Sequence, residues 1–145
     1  MTVTTARFEE LEFFSSLEKG IDTREFILPW STEEHREKFN DPDIRYLSIE
    51  NDAGRCAGFF LLALEEGDTV EFRRVVISTA ERGIGQTAIL EMEAYCRENL
   101  GTRRIWLDVF AYNVRAIHIY EKLGYRKYDE GELNGKPLLY YEKIL

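Results

Sequence analysis

The chain has 145 residues, 44% hydrophobic and 13% aromatic, with only 3 prolines; this suits one globular domain with its own core and excludes a disordered tail. A net charge of −8 and an isoelectric point near 4.9 exclude a nucleic-acid surface, which needs a positive field, and lean towards cationic partners such as amines. No apolar run reaches membrane-spanning length, and MTVTTARFEE lacks the basic and apolar regions of a signal peptide, so no membrane partner is expected and the expected location is cytoplasmic.

In chain order, Phe8, Leu11, Phe14 and Leu17 recur at three-residue steps and predict a short helix ending near Gly20. Pro29-Trp30-Ser31 introduces a second helix, with Ser31 as N-cap, Glu34 as its capping-box partner and a stop near Asn40-Asp41-Pro42. Ile44 to Ile49, Cys56 to Leu64 and Val70 to Ile77 read as three strands of an antiparallel meander, turned at Asn51-Asp52-Ala53-Gly54 and Glu66-Gly67-Asp68. Ile84, Ala88, Ile89, Met92, Tyr95, Cys96 and Leu100 then share one helical stripe that closes near Gly101. Arg104 to Phe110 is the next strand, followed by a helix from Asn113 to about Leu123 with Gly124 at its C′ position. Tyr125 to Asp129 and Leu138 to Ile144 read as a hairpin over a loop containing Asn134-Gly135. In the resulting order, ααβββαβαββ, a helix joins the strand ending at Ile77 to the one starting at Arg104, which makes those two parallel.

The joint ERGIGQTAIL, residues 81–90, asks what it holds. A helix start has backbone N–H groups without internal partners and a partial positive charge, so an anion fits there. Gly83 and Gly85 allow a sharp turn and a close approach of backbone to phosphate; a tight turn that merely tolerates glycine is the alternative. Gly83-Ile84-Gly85-Gln86-Thr87-Ala88 also satisfies a dinucleotide-binding pattern with Asp108 downstream. That pattern opens the first unit of a parallel sheet, whereas here a meander precedes it and Asp108 sits mid-strand.

The stretch RIWLDVFAYNVRAIHIYEKLGYRKY carries Asn113, Ala116, Tyr120, Gly124 and Tyr125 at the places of a strand followed by N-x-x-A-x-x-x-Y-x-x-x-G-[FY]. In this it resembles the closing motif of the GCN5-related N-acetyltransferase family (GNAT). Upstream, FRRVVISTAERGIGQTAI resembles the family's acetyl-CoA segment, [QR]-x-x-G-x-[GA] at the start of the central helix. The resemblance covers residues from about 44 to 145. It implies an α+β fold: a mixed, mostly antiparallel central sheet with a splayed parallel strand pair and helices on both faces, in one domain over 1–145.

The implied activity is N-acetyl transfer from acetyl-CoA to a primary amine, a small molecule or a protein N-terminus, by direct attack in a ternary complex. The implied cofactor contacts are the amides of Arg82, Gly83, Ile84, Gly85, Gln86 and Thr87 on the pyrophosphate, and Val75, Val76 and Ile77 on the pantetheine and thioester carbonyl. Ala80 stands where Gln or Arg is usual, so the backbone does the binding, with Arg82 as a partial substitute. Asn113 and Ala116 belong to the coenzyme contacts, although Asn113 is equally a good N-cap.

Tyr120 is the implied acid for the departing thiolate. Spacing alone reads it as a core aromatic on the stripe Val114, Ile117, Tyr120, Leu123. For the base, Glu71 is the best single residue, against a reading as a solvated strand glutamate, and Asp108 ranks second. His35 lies in the surface run EEHREK and His118 points away from Tyr120. Cys56 and Cys96 lack metal spacing and a paired histidine, so neither a metal nor an acyl-cysteine is expected. The acceptor site is expected from the first two helices and the 129–137 loop, with Phe26, Trp30 and Tyr128 as wall residues or core. FILPWSTEEH resembles the branch that modifies ribosomal-protein N-termini or polyamines. MTVTT leaves room for only a stub of the family's first strand: short, missing or supplied by a neighbouring chain, which leaves a homodimer open. The competing reading is a non-catalytic acyl-CoA sensor.

Overall fold

The computed structural model describes residues 1–20, 29–78, 81 and 83–145. Its strands are β1 Thr2–Thr5, β2 Ile44–Glu50, β3 Cys56–Glu65, β4 Thr69–Ile77, β5 Arg104–Phe110, β6 Arg126–Leu133 and β7 Lys136–Ile144. Its helices are α1 Leu11–Glu18, α2 Thr32–Phe39, α3 Gly85–Tyr95 and α4 Val114–Lys122; a 3₁₀ turn precedes α1 and a π-helical turn, Cys96–Leu100, prolongs α3. The strands form one sheet in the order β1-β2-β3-β4-β5-β7-β6. β4 and β5 are parallel and every other adjacent pair is antiparallel. The α+β class and the parallel pair expected from the connectivity are what the chain adopts.

Local chemistry sets the boundaries. Glu34 N donates to Ser31 Oγ and Ser31 N to Glu34 Oε1, both at 3.1 Å, which is the capping box that starts α2. Gly124, at φ +99°, takes the left-handed position after α4. On one face of the sheet Ala88, Ile89 and Met92 of α3 and Tyr120 of α4 pack against Phe60, Phe72 and Leu107. On the other, Leu11 and Phe14 of α1 pack against Tyr46, Phe59 and Val76, with the Phe14 and Phe59 rings stacked at 4.4 Å. Each such fully buried side chain contributes roughly 1.5–3 kcal/mol of transfer free energy.

Of the alternatives left open for the first strand, the short one is present: Thr2–Thr5 pairs antiparallel with β2. Other expectations change. The 129–137 segment is a continuous hairpin, because Asn134 and Gly135, at φ 52° and 78°, form a two-residue turn that lets Leu133 pair with Lys136. β6 is exposed along its whole length; its second half, Glu130–Leu133, read as loop, continues the strand begun at Arg126, and its polar sequence is that of an edge strand. Val114 is 71% exposed, since the first turn of α4 projects past the sheet and the stripe packs only from Ala116 onward.

His35 is not a surface residue but fully buried. Its Nδ1 shares a 2.6 Å hydrogen bond with Tyr46 Oη, and its Nε2 is bonded to Glu18, which also pairs with Arg74. The Arg74 guanidinium lies 3.6 Å over the Trp30 ring, so a polar cluster nails α1 and α2 to β4. A charged run hid it because α2 turns only this one residue fully inward.

Candidate active site

The turn before α3 is held at both ends. Ser78 N donates to Ala57 O at 2.7 Å, Glu81 N to Ser78 O at 2.9 Å, and Asn51 Nδ2 to Glu81 Oε1 at 2.5 Å. Gly83 has φ +76°, with nothing within 4 Å of where a Cβ would stand, so conformation and not crowding calls for glycine there. Ala88 N is the first α3 amide bonded back to the preceding turn, on Ile84 O at 2.8 Å. The amides of Gly83, Ile84, Gly85, Gln86 and Thr87 meet no backbone carbonyl among the described residues. These free donors at a positive helix end fit a pyrophosphate. Ala80 and Arg82 lie outside the described residues.

β4 and β5 pair only at Thr69↔Arg104, Val70↔Ile105 and Glu71↔Trp106. Beyond Glu71 they part, although β4 continues to Ile77 and β5 to Phe110. The amide of Ser78 and the carbonyl of Val76 turn towards β3. Strand alternation therefore turns the backbone groups of Val75 and Ile77 into the gap and those of Val76 away from it. A β-bulge helps: Leu61 faces Arg74 and Leu62 faces Phe72, which leaves Arg73 as the extra residue.

Tyr120 reaches this region from the α3 face. Its ring packs edge-on against Phe72 at 5.9 Å and beside Tyr125 at 5.9 Å, and α4 is tied to β7 by Tyr141 Oη donating to Glu121 Oε2 at 2.8 Å. The Tyr120 hydroxyl makes no hydrogen bond to the described residues, nor is it among the fully buried polar atoms left without a partner. Burial, and next the charge of Asp108, push its pKa up to about 12, so it is a phenol at neutral pH and a proton donor.

Asp108 points the other way from its neighbours Leu107 and Val109, and is exposed where they are buried. Its pKa is raised, first by partial desolvation among the surrounding groups and then by the charge of Glu71, with Arg73 acting in the opposite sense. Glu71 Oε1 accepts from Arg73 Nε at 3.1 Å and from Nη2 at 2.8 Å. That bond raises the Arg73 pKa further. A carboxylate, an ion pair and a protonated phenol thus influence one another around one gap.

The structure gathers Val75, Ile77, Glu71 and Tyr120 at the gap, with Gly83 to Thr87 at the mouth of α3. Asn113 caps α4, its Oδ1 accepting from Ala116 N at 3.3 Å, which satisfies the N-cap alternative. His118 is exposed. Trp30 packs under Arg74 and Tyr128 is 43% exposed on β6, while Phe26 lies outside the described residues. Cys56 is half-buried and Cys96 buried, both as free thiols; burial pushes Cys96 up to about 12, which makes it inert. Sequence reasoning missed Arg73. The paired apolar partners of Arg74 and Phe72 hide the bulge, and only the adjacent arginines, which break the strand's alternation, hinted at it.

Comparison with known proteins agrees with this geometry. Residues 18–125 match the model of the Acetyltransferase (GNAT) family. Among solved structures, the chain is similar to a spermidine N-acetyltransferase from Vibrio cholerae in complex with CoA and spermine (TM-score 0.85, 20% identity, covering 99% of this chain and 94% of that one). It is also similar to a point mutant of the spermidine N-acetyltransferase SpeG from the same organism (TM-score 0.82, 21% identity, 99% and 95% covered). A third match is a dodecameric form of that enzyme (TM-score 0.80, 20% identity, 99% and 92% covered). A comparison with curated protein sequences finds no significant match. With both motifs, the splayed pair and the family model in agreement, the chain belongs to the Acetyltransferase (GNAT) family and is an acetyl-CoA-dependent N-acetyltransferase.

Proposed function

We propose that the amides of Gly83, Ile84, Gly85, Gln86 and Thr87 hold the pyrophosphate of acetyl-CoA, and that the gap between β4 and β5 takes its pantetheine arm as an added strand. The observation that carries this reading is the parting of β4 from β5 after Glu71, which leaves the backbone of Val75 and Ile77 unpaired beside Tyr120. An N–H there stabilises the charge that grows on the thioester oxygen. Acetyl-CoA supplies the activated acyl group; the chain's residues manage two protons.

The acceptor arrives as an ammonium, with a pKa of about 10.4 for a lysine-type amine, and must lose a proton before it attacks. Glu71, the first expectation for the base, is occupied by Arg73. The role passes to Asp108, whose raised pKa suits an acceptor of protons better than an ordinary aspartate. Glu71 tunes Asp108 and Arg73. As the amine nitrogen bonds to the acyl carbon, the carbon–sulfur bond breaks, and Tyr120 donates its proton to the leaving thiolate. Asn113 and Ala116 place the α4 start beside the coenzyme.

The acceptor is a small cationic amine. The acidic balance of the chain supports this, as do the structural neighbours named for spermidine. Self-association belongs to the same reading, since one neighbour is dodecameric. The test is thiol release from acetyl-CoA against a panel of amines, with Tyr120→Phe and Asp108→Asn beside the parent. Release that both substitutions lower supports the assignment; coenzyme binding without release for any amine would make the protein a sensor.

A further inference from the structure

The two faces of the gap differ. Tyr120 and the mouth of α3 lie on one side, so an amine that meets the thioester without displacing the coenzyme comes from the other. There α1 and α2 rest on β2, β3 and β4, while the same face of β5, β7 and β6 carries Trp106, Asp108, Tyr140 and Tyr128, all half-buried or exposed. Asp108 stands directly opposite Tyr140 in the ladder. The Trp106 and Tyr140 rings are 6.2 Å apart, and Tyr140 and Tyr128 are again 6.2 Å apart. Trp106 Nε1 donates to Glu65 Oε1 at 2.9 Å, which fixes the plane of the indole.

Charge complements these rings. Glu71 is paired with Arg73 and Glu142 with Arg104; Asp108 and Glu65 have no ion-pair partner among the described residues. Two carboxylates without a direct ion pair therefore flank an indole, sharing at longer range the charge of an Arg73 guanidinium already bonded to Glu71. Trp106 and Asp108 are two residues apart on β5, roughly 6.6 Å along the strand. An aromatic face with a carboxylate at its edge binds an ammonium.

We propose that this face selects acceptors with two cationic groups: the reacting amine at Asp108, and a second ammonium over Trp106 beside Glu65, with Tyr140 against the connecting chain. An extended spacer of about four to five carbons spans this distance. The inference rests on the acetyl-transfer reading above, and it assigns Trp106, Glu65 and Tyr140 a role in choosing the acceptor.

Cadaverine and n-pentylamine have the same carbon chain and differ in the second ammonium, so the test is steady-state acetylation of each by the full chain with acetyl-CoA. The parent is expected to favour cadaverine in kcat/KM by about tenfold or more, the scale of one desolvated cation–π and carboxylate contact. Glu65→Gln keeps an acceptor for the indole N–H but drops the charge, and is expected to move the ratio of the two amines towards one, mainly through the KM of cadaverine; Trp106→Leu should do the same. Turnover of both amines with equal efficiency overturns the inference alone. So does a dimer in solution that Tyr128→Arg separates while amine preference stays flat, because the face is then an interface between copies. Coenzyme binding with turnover of neither amine overturns the acetyl-transfer reading itself.

Discussion

Replacing Gly58 by alanine puts a methyl group where β4 already stands. A Cβ at Gly58 would lie 2.2 Å from Val76 O, 3.0 Å from Ile77 Cα and 3.1 Å from Val76 C. All three are backbone atoms, so no side chain can swing aside. An ordinary contact requires β4 to withdraw from β3 by about 1 Å, and β4 can only withdraw towards the gap, carrying the amides of Val75 and Ile77 with it. Overpacking of this kind costs about 1–3 kcal/mol, a few degrees of Tm for each kcal/mol in a chain of this size. A misplacement of about 1 Å at reacting groups costs about 100-fold in rate. Acetylation kinetics by thiol release should therefore show kcat/KM down about 100-fold in Gly58→Ala, while far-UV circular dichroism at low temperature stays native. Coenzyme A affinity, which depends mainly on the amides of the helix mouth, should weaken less than tenfold. Parent-like kcat/KM with parent-like Tm would show that the spacing of β3 and β4 does not set the site.

Tyr120→Phe removes the acid but not the ring packing on Phe72, so kcat should fall by about 100-fold or more while coenzyme A affinity by calorimetry changes less than twofold; a parent-like kcat would rule Tyr120 out as the donor. Asp108 must be unprotonated to act, and its pKa lies above the usual aspartate value, so activity should decline as pH falls through that raised value. Asp108→Asn should lack that acid limb and Asp108→Glu should keep it, whereas an unchanged limb in Asp108→Asn moves the base elsewhere. Arg74→Met leaves Glu18 buried without its guanidinium partner and should cost about 3–5 kcal/mol in urea unfolding; a loss below about 1 kcal/mol would mean that the cluster with His35 does not anchor α1 and α2.

Strand and helix boundaries were legible wherever periodicity and a special residue agreed. Ser31 with Glu34, Asn113 before α4 and Gly124 after it each announce an end through one backbone requirement, and the cap bonds and the positive φ are there. The parallel pair followed from connectivity alone, because a helix must carry the chain back from Ile77 to Arg104. What stayed hidden depends on three-dimensional neighbours. His35 reads as part of a surface run, yet it is buried with Glu18, Arg74 and Tyr46 around it. The hairpin was legible, but residues 130–137 look like its loop because an edge strand with both faces wet has no apolar alternation to show. The bulge at Arg73 is a shift of register that no single-strand pattern reveals. Asp108 and Glu71 cannot be ranked as bases without knowing which of them holds an arginine.

The central claim is that the free amides at the mouth of α3 take the pyrophosphate while the thioester lies along the unpaired edge of β4. Amide chemical shifts of ¹⁵N-labelled protein titrated with coenzyme A and then acetyl-CoA test it residue by residue. The account predicts the largest changes at Gly83 to Thr87 with both ligands, and changes at Val75 and Ile77 that differ between the two. Saturable binding that leaves Gly83 to Thr87 unmoved and shifts amides elsewhere would contradict it.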